Sequence, residues 1–99
     1  KIYIFCYNDN GIAISKILIE NGYCVKGFLD NNELLNKKEI LGLKVHSPYV
    51  LKYKTTNYKS NMLIIISNTF INNVKNITNQ LISLGIGKKQ IVHQTFFKY

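Results

Sequence analysis

Short apolar runs alternate along this chain with segments in which apolar residues recur at helical spacing. The apolar runs are rich in β-branched and aromatic residues and have the length of strands. They cover residues 2–6, 24–29, 43–46, 62–66 and 90–93. Residues 62–66 form the most apolar of the five runs, which is typical of a central strand covered on both faces.

Helical spacing predicts two longer helices between these strands. The first covers about residues 11–21, and Gly22 after it suits the left-handed position that ends a helix. The buried face of this helix is predicted to consist of Ala13, Ile14, Ile17 and Leu18. The second helix follows residue 69 and ends at Gly85, and residues 67–69 can cap it. Its apolar stripe consists of Phe70, Val74, Ile77, Leu81 and Leu84.

The remaining segments are predicted to be short or irregular. Ser47 followed by Pro48 indicates the start of a short helix over residues 48–53, with serine as the cap. Residues 30–39 are polar and rich in turn-forming residues, and residues 54–61 are predicted to be a loop.

Strands that alternate with helices predict an α/β fold with a parallel sheet and right-handed crossovers. We expect a Rossmann-like three-layer sandwich of about five strands in the order 3-2-1-4-5. Ligands of open α/β sheets bind at the carboxyl ends of the strands, beside the point where the strand order reverses. That point lies between strands one and four, where residues 7–11 and 67–69 meet.

Residues 6–11 correspond to the glycine-rich loop of dinucleotide-binding sheets, G-x-G-x-x-G, and keep only the last glycine. Gly11 retains the position that permits close packing of helix and strand, while Cys6 and Asn8 occupy the other two glycine positions. Asn8 tolerates positive φ, so it can preserve the turn while its side chain crowds the phosphate position. The helix amino terminus still offers N–H groups to an anion. Two alternatives remain: the loop binds phosphate, or the unit keeps the architecture and has lost dinucleotide binding.

Asp30 follows the second strand, 19 residues after Gly11, where an acidic residue accepts hydrogen bonds from ribose hydroxyls. Its alternative role is an Asx turn that shapes residues 30–33. The candidate binding residues at this edge of the sheet are Tyr7, Asn8, Asp9, Asn10, Gly11, Asp30, Ser67 and Asn68.

The sequence does not predict a catalytic or metal site. His46 and His93 lie near strand ends with no acidic residue adjacent to either, and loop or cap roles account for both. Cys6 is either a thiolate activated by the helix amino terminus or a buried thiol in a glycine position. The chain has five acidic residues, which leaves little material for general acid–base chemistry.

Length and charge place the chain among small cytoplasmic domains. Its 99 residues suffice for one domain, and the chain begins at Lys1, which suggests a piece of a longer protein. The net charge of +8 comes from 13 scattered lysines without any arginine, which does not favour nucleic-acid binding. The longest apolar run, residues 62–66, is too short to span a membrane.

Cys6 and Cys24 fall at opposite ends of parallel strands, about 15 Å apart, and are expected to stay reduced.

Three segments resemble a known class of domains: residues 2–5 (Ile-Tyr-Ile-Phe), 27–31 (Gly-Phe-Leu-Asp-Asn) and 41–48 (Leu-Gly-Leu-Lys-Val-His-Ser-Pro). Residues 1–93 are similar to the small Rossmann-like domains of bacterial surface-polysaccharide enzymes. These include sugar O-acyltransferases, capsule-type nucleoside-diphosphate-sugar epimerases and dehydratases, and sugar methyltransferases. In this resemblance Gly11 matches the last loop glycine and Asp30 the acidic residue after the second strand, whereas the family usually has glycine at positions 6 and 8.

The resemblance implies a nucleotide or nucleotide-sugar-binding module of a capsule or glycan biosynthesis enzyme, with catalysis elsewhere in the full-length protein. Its partners are expected to be a nucleotide-sugar or nucleotide, the remainder of its own polypeptide and a second copy of itself. One alternative is a degenerate structural or oligomerisation domain without a ligand. Another is the NAD(P)-binding half of an oxidoreductase or epimerase.

Overall fold

The computed structural model describes residues 1–94, which form a mostly parallel sheet between two helical layers. The strands are β1 (Ile2–Phe5), β2 (Val25–Leu29), β3 (Glu39–Ile40), β4 (Leu43–His46), β5 (Leu63–Ile66) and β6 (Ile91–His93). The α-helices are α1 (Asp9–Glu20), α2 (Thr56–Ser60) and α3 (Ile71–Ser83). Short 3-10 helices cover Glu33–Leu35, Pro48–Tyr53 and Lys88–Gln90. The order across the sheet is β3-β4-β2-β1-β5-β6.

The five predicted strands and their predicted order are confirmed, and one short edge strand is added. β1 pairs in parallel with β2 on one side and with β5 on the other, so the order reverses beside β1 as expected. The added strand β3 pairs antiparallel with β4, Glu39 facing Lys44. Leu41 and Gly42 join the two with φ angles of +56° and +75°, the backbone of a tight hairpin turn.

One face of the sheet is covered by α1. Its predicted buried face holds in part, because Ile14 and Leu18 are buried while Ala13 and Ile17 are half-buried. The helix residues pack with strand side chains that include Ile4, Phe28, Val45 and Ile65. The helix begins two residues earlier than predicted, and Gly22 takes a φ of +84° after it, as expected.

The opposite face is covered by α3 and by Leu51 from the 3-10 helix that Ser47 caps as predicted. Ile77, Leu81 and Leu84 are buried there, but Phe70 is 70% exposed, so the predicted apolar stripe is wrong at its first position. The helix begins at Ile71, and Phe70 lies just before its first turn. Gly85 closes α3 with a φ of +95°.

Residues 54–61 contain a helical turn and not the predicted loop. The hydroxyl of Thr55 accepts a hydrogen bond from the amide of Tyr58 at 3.1 Å, which caps α2. Tyr58 then packs against the α3 face of the core, and its hydroxyl bonds that of Tyr3 at 2.9 Å. This helical turn could not be predicted from the sequence, because its residues are mostly polar and show no apolar periodicity.

Backbone hydrogen bonds carry the strand ladders one residue past the carboxyl ends. The amide of Cys6 donates to Leu29 at 2.8 Å, that of Ser67 to Phe5 at 2.9 Å, and that of Asp30 to His46 at 3.0 Å. These bonds bring the residues that follow β1, β2 and β5 to one edge of the sheet. No helix within residues 1–94 is long and apolar enough to cross a membrane.

Candidate ligand-binding site

The turn from β1 into α1 lacks the first two glycines of a glycine-rich loop, and Cys6 and Asn8 stand in their places. Cys6 has a φ of +88°, a left-handed conformation that L side chains adopt at a cost and that glycine adopts freely. Asn8 has a φ of −145°, so the expectation that it would supply the positive φ is wrong. Cys6 makes the turn, and Asn8 serves as the extended amino-terminal cap of α1.

The side chain of Asn8 ties the two loops at the switch point together. Its Oδ1 accepts hydrogen bonds from the amide of Gly11 at 2.8 Å and from the hydroxyl of Ser67 at 3.0 Å. Its Nδ2 donates to the carbonyl oxygen of Ser67 at 2.7 Å. Ser67 is fully buried, and its hydroxyl also lies 3.1 Å from Oε1 of Gln94. The carboxamide of Asn8 therefore lies over the turn, where a diphosphate would approach the backbone.

Gly11 is required by the packing of α1 against β1. A Cβ atom at this position would lie 2.6 Å from the carbonyl oxygen of Cys6 and 3.1 Å from Cγ2 of Ile4. The first distance is well inside van der Waals contact with a backbone atom that cannot move independently. The predicted role of Gly11 in close helix–strand packing is thus confirmed.

The amino terminus of α1 retains few groups for an anion. Its third amide, Gly11, is bonded by Asn8 Oδ1, and Ile12 donates to the carbonyl of Asn8 at 2.9 Å. Within residues 1–94, the amides of Asp9 and Asn10 have no hydrogen-bond partner. The carboxylate of Asp9 lies in this first turn, where it already complements the helix dipole.

Asp30 is held by backbone amides on both of its carboxylate oxygens. Oδ2 accepts from the amide of Tyr7 at 2.8 Å, and Oδ1 accepts from Asn32 at 2.9 Å, which makes the Asx turn. Each oxygen has a second lone pair, so the carboxylate can still accept from a ligand hydroxyl. The ring of Tyr7 packs edge-on against Phe28, 5.2 Å between centroids, and thus belongs to the core on the α1 side.

A crevice of about 240 Å³ opens at the carboxyl ends of β1, β2 and β5, on the side of α3. It is lined by Phe5, Cys6, Asp30, Asn31, Asn68, Asn73, Asn76 and Ile77. Of the predicted site residues, Asp30 and Asn68 line it directly. Asn8 and Ser67 join the adjacent loops, and Asn68 does not cap α3, because its Oδ1 bonds the amide of Phe70 ahead of the helix.

Sequence reasoning missed three asparagines of this crevice. Asn73 and Asn76 are three residues apart on α3, and Asn76 precedes the buried Ile77, a spacing that could have indicated one helix face. Asn31 was assigned only to a turn. Its amide pairs reciprocally with that of Gln80, both N···O distances being 2.9 Å, and this pair links the β2 loop to α3.

Cys6 is a half-buried thiol whose surroundings do not activate it. Burial is the main cause that raises the pKa of the Cys6 thiol to about 11, and the negative charge of Asp30 contributes a smaller part of this increase. The amide of Asn68, whose Nδ2 lies 3.8 Å from Sγ, lowers it by less. Both cysteines are free, and Cys24 is exposed at the other end of the sheet.

We therefore expect the two thiols to react at very different rates. A pKa of about 11 in place of the ordinary 9.0 leaves Cys6 with about a hundredfold less thiolate at pH 8. Mass spectrometry of iodoacetamide labelling should show rapid modification at Cys24 and slow modification at Cys6. The rate at Cys6, measured in a Cys24→Ser variant, should rise steadily as the pH approaches 11. Equal rates for the two cysteines at pH 8 would contradict this assignment.

Neither His46 nor His93 lines the crevice. Burial, together with the charges of Lys44 and Lys54, lowers the pKa of His46, which lies against Gly27 on β2. The Nε2 atom of His93 contacts the carbonyl oxygen of Asn68. Residues 1–94 contain no group of three histidine, cysteine or acidic side chains placed to hold a metal ion.

No family model matches this chain, and no curated protein matches it in sequence. Solved structures share its fold. UDP-D-quinovosamine 4-dehydrogenase from Vibrio fischeri has a TM-score of 0.69 at 16% identity, over 93% of this chain and 75% of that one. RSP, a Rex-family repressor, has a TM-score of 0.67 at 16% identity, over 93% of this chain and 50% of that one. The structure of RSP in complex with β-NADH gives 0.66 with the same identity and coverage.

These similarities establish the fold as Rossmann-like. The chain spans half the length of the repressor, so the remaining half of that protein has no counterpart in these residues.

Proposed function

We propose that this chain is a nucleotide or nucleotide-sugar-binding module of a surface-polysaccharide biosynthesis enzyme. In this proposal the module works in the cytoplasm, and the transferase or sugar-modifying reaction takes place elsewhere in a longer polypeptide. The observation that carries the proposal is the crevice beside the switch point, which joins the loops of β1, β2 and β5 to α3. Open α/β sheets bind their ligands at this place.

The lining of the crevice suits the nucleoside end of such a ligand. The Asp30 carboxylate can accept hydrogen bonds from ribose hydroxyls, since two backbone amides use only part of its capacity. Carboxamides of the asparagines offer both donors and acceptors to the edge of a base. Phe5 and Ile77 supply apolar contact for its ring.

The structural comparisons support a nucleotide more than any other ligand class. One neighbour is a UDP-sugar dehydrogenase, and the other is a repressor whose structure holds β-NADH. The surface-polysaccharide assignment depends on the three sequence segments described above. NAD(P) binding, as one half of an oxidoreductase or epimerase, is the alternative ligand within the same site.

We expect Asp30→Asn to weaken ligand binding about tenfold, which corresponds to about 1.4 kcal/mol. The amide keeps the size of the carboxylate but loses one acceptor oxygen and the charge that strengthens bonds from hydroxyls. Calorimetric titration with UDP-glucose, UDP-N-acetylglucosamine, UDP and NAD measures the effect. Glu39→Gln is the matched control, because it removes the same charge on the exposed edge strand β3.

Saturable binding of at least one of these compounds, weakened in Asp30→Asn and unaltered in Glu39→Gln, would support the proposal. Absence of heat with all four at millimolar concentration would reject it. Circular dichroism checks that the Asp30→Asn protein is folded, since Asp30 also orders the loop through its hydrogen bonds with Tyr7 and Asn32.

A second candidate function is a structural or oligomerisation domain without a ligand. The two hydrogen bonds between Asn8 and Ser67 favour this candidate function. They hold a side chain over the phosphate position, as a domain without a ligand would predict. Light scattering that shows a stable dimer, together with no binding in the titrations above, would favour this candidate.

A further inference from the structure

Resting on the function proposed above, we propose that the site recognises only the uncharged nucleoside part of its ligand. A diphosphate on that ligand adds nothing to the affinity and remains in solvent. Three observations carry this inference: the closed phosphate position, the charges around the crevice and the size and chemistry of the space that remains.

The phosphate position is closed by the three hydrogen bonds of the Asn8 carboxamide. A diphosphate that approached the backbone of this turn would have to displace that side chain. It would then leave the Ser67 carbonyl oxygen, which belongs to a fully buried residue, without its donor. The Gly11 amide is already satisfied by this carboxamide, and the free amides of Asp9 and Asn10 lie in the first turn of α1, where the Asp9 carboxylate opposes a second negative charge.

The charges around the crevice oppose an anion. Among the described residues that line the crevice, Asp30 alone is charged, and Asp9 adds a second negative charge at the first turn of α1. Two lysines are held by an aromatic ring outside the crevice lining. Lys1 and Lys54 sit over the ring of Tyr58, at 4.2 and 4.8 Å from its centroid. The net charge of +8 therefore places no positive side chain among the described residues that line the crevice.

The Lys59 ammonium is similarly engaged away from the crevice. It donates to the carbonyl oxygen of Leu84 at 2.9 Å and thus satisfies the carboxyl end of α3. Asn73 and Asn76 line the crevice from the opposite end of the same helix. The bonded lysine thus lies at one end of α3, and the α3 residues that line the crevice at the other end are two asparagines and Ile77.

The size and lining of the crevice suit a small neutral group such as a nucleoside. Its volume of about 240 Å³ is below the roughly 300–1,000 Å³ typical of pockets for drug-sized ligands. It can accommodate a base with its ribose and is too small for a whole dinucleotide. The carboxamides in its lining form hydrogen bonds without requiring charge on the ligand.

The test compares each nucleoside with its own phosphates. Uridine, UMP and UDP form one series, and adenosine, AMP and ADP form the other, titrated by calorimetry at 50 and 300 mM salt. We expect the tighter-binding series to show affinities for nucleoside and diphosphate within about threefold. We also expect little salt dependence, because no phosphate contact is made.

The variant Asn8→Gly tests whether removal of the carboxamide allows a diphosphate to bind at the turn. Glycine is tolerated at an amino-terminal cap, but the Ser67 carbonyl oxygen loses its donor, so urea unfolding first checks that the variant is folded. Removing the carboxamide uncovers the Gly11 amide, and we expect the ratio of diphosphate to nucleoside affinity to rise at least fivefold. Asn10→Gly is the control, since it shortens a neighbouring side chain that does not bridge to Ser67.

The possible results separate this inference from the proposed function. A diphosphate that binds the wild-type protein tenfold more tightly than its nucleoside, with strong salt dependence, overturns the inference and leaves nucleotide binding intact. No binding by either series overturns the proposed function itself. An Asn8→Gly protein whose affinity ratio matches that of Asn10→Gly also counts against the inference.

Discussion

Gly11→Ala is expected to lower the free energy of unfolding by about 3 kcal/mol, the upper part of the range for overpacked interiors. The added methyl group would lie 2.6 Å from the carbonyl oxygen of Cys6. That carbonyl cannot retreat freely, because the Cys6 amide is bonded to Leu29 in the sheet. The midpoint of urea unfolding, compared at unchanged slope, measures the loss.

Gly22→Ala is the control for this substitution. Its added Cβ would meet nothing within 4 Å, although φ at Gly22 is +84°. The expected cost of about 1 kcal/mol reflects backbone strain alone. Helix propensity by itself would make Gly11→Ala stabilising by about 1 kcal/mol. A Gly11→Ala protein as stable as the wild type would therefore show that α1 does not pack against β1 at this distance.

Asn8→Asp is expected to lower the free energy of unfolding by about 2 kcal/mol although it changes only an NH₂ group to an oxygen. One carboxylate oxygen can still accept from the Gly11 amide, so the helix cap survives. The other oxygen takes the place of Nδ2 and faces the Ser67 carbonyl oxygen at about the observed 2.7 Å. A donor–acceptor pair thereby becomes a pair of acceptors beside a buried residue.

Asn10→Asp separates this loss from a general effect of charge. It adds the same negative charge to the first turn of α1, where such a charge stabilises a helix by about 0.3–1 kcal/mol. Urea unfolding of the two variants side by side should give opposite changes. If Asn8→Asp were as stable as Asn10→Asp, the carboxamide would act as a cap without holding the β5 loop.

The sheet could be predicted from the sequence because its signals are local. Each long strand is an apolar run, and the alternation of strands with helices fixes the order around β1. The edge strand β3 gave no such signal, since two residues, Glu39 and Ile40, pair only through a hairpin at Gly42. Strands of this length have no periodicity of their own to detect.

The position of the crevice could be predicted from the sequence, and the hydrogen bonds between the loops beside it could not. The switch point placed Asp30 and Asn68 correctly at the crevice. The contact that closes the turn joins Asn8 to Ser67, two residues separated by 59 positions. Whether the Asn8 carboxamide faces solvent or a distant carbonyl depends on tertiary structure, which no local pattern reports. The neighbours of Asn73 and Asn76 could not be predicted for the same reason, because they lie at the carboxyl ends of three different strands.

The left-handed backbone of Cys6 has a consequence for protein engineering. The turn keeps its geometry without glycine at that position, because a β-ladder bond on one side and the α1 cap on the other hold it in place. Converting this loop into one that holds a diphosphate thus requires new side chains at Cys6 and Asn8 and no rebuilding of the main chain. A Cys6→Gly, Asn8→Ser double variant keeps a side-chain acceptor that caps α1 and would be a starting point from which cofactor affinity could be selected step by step.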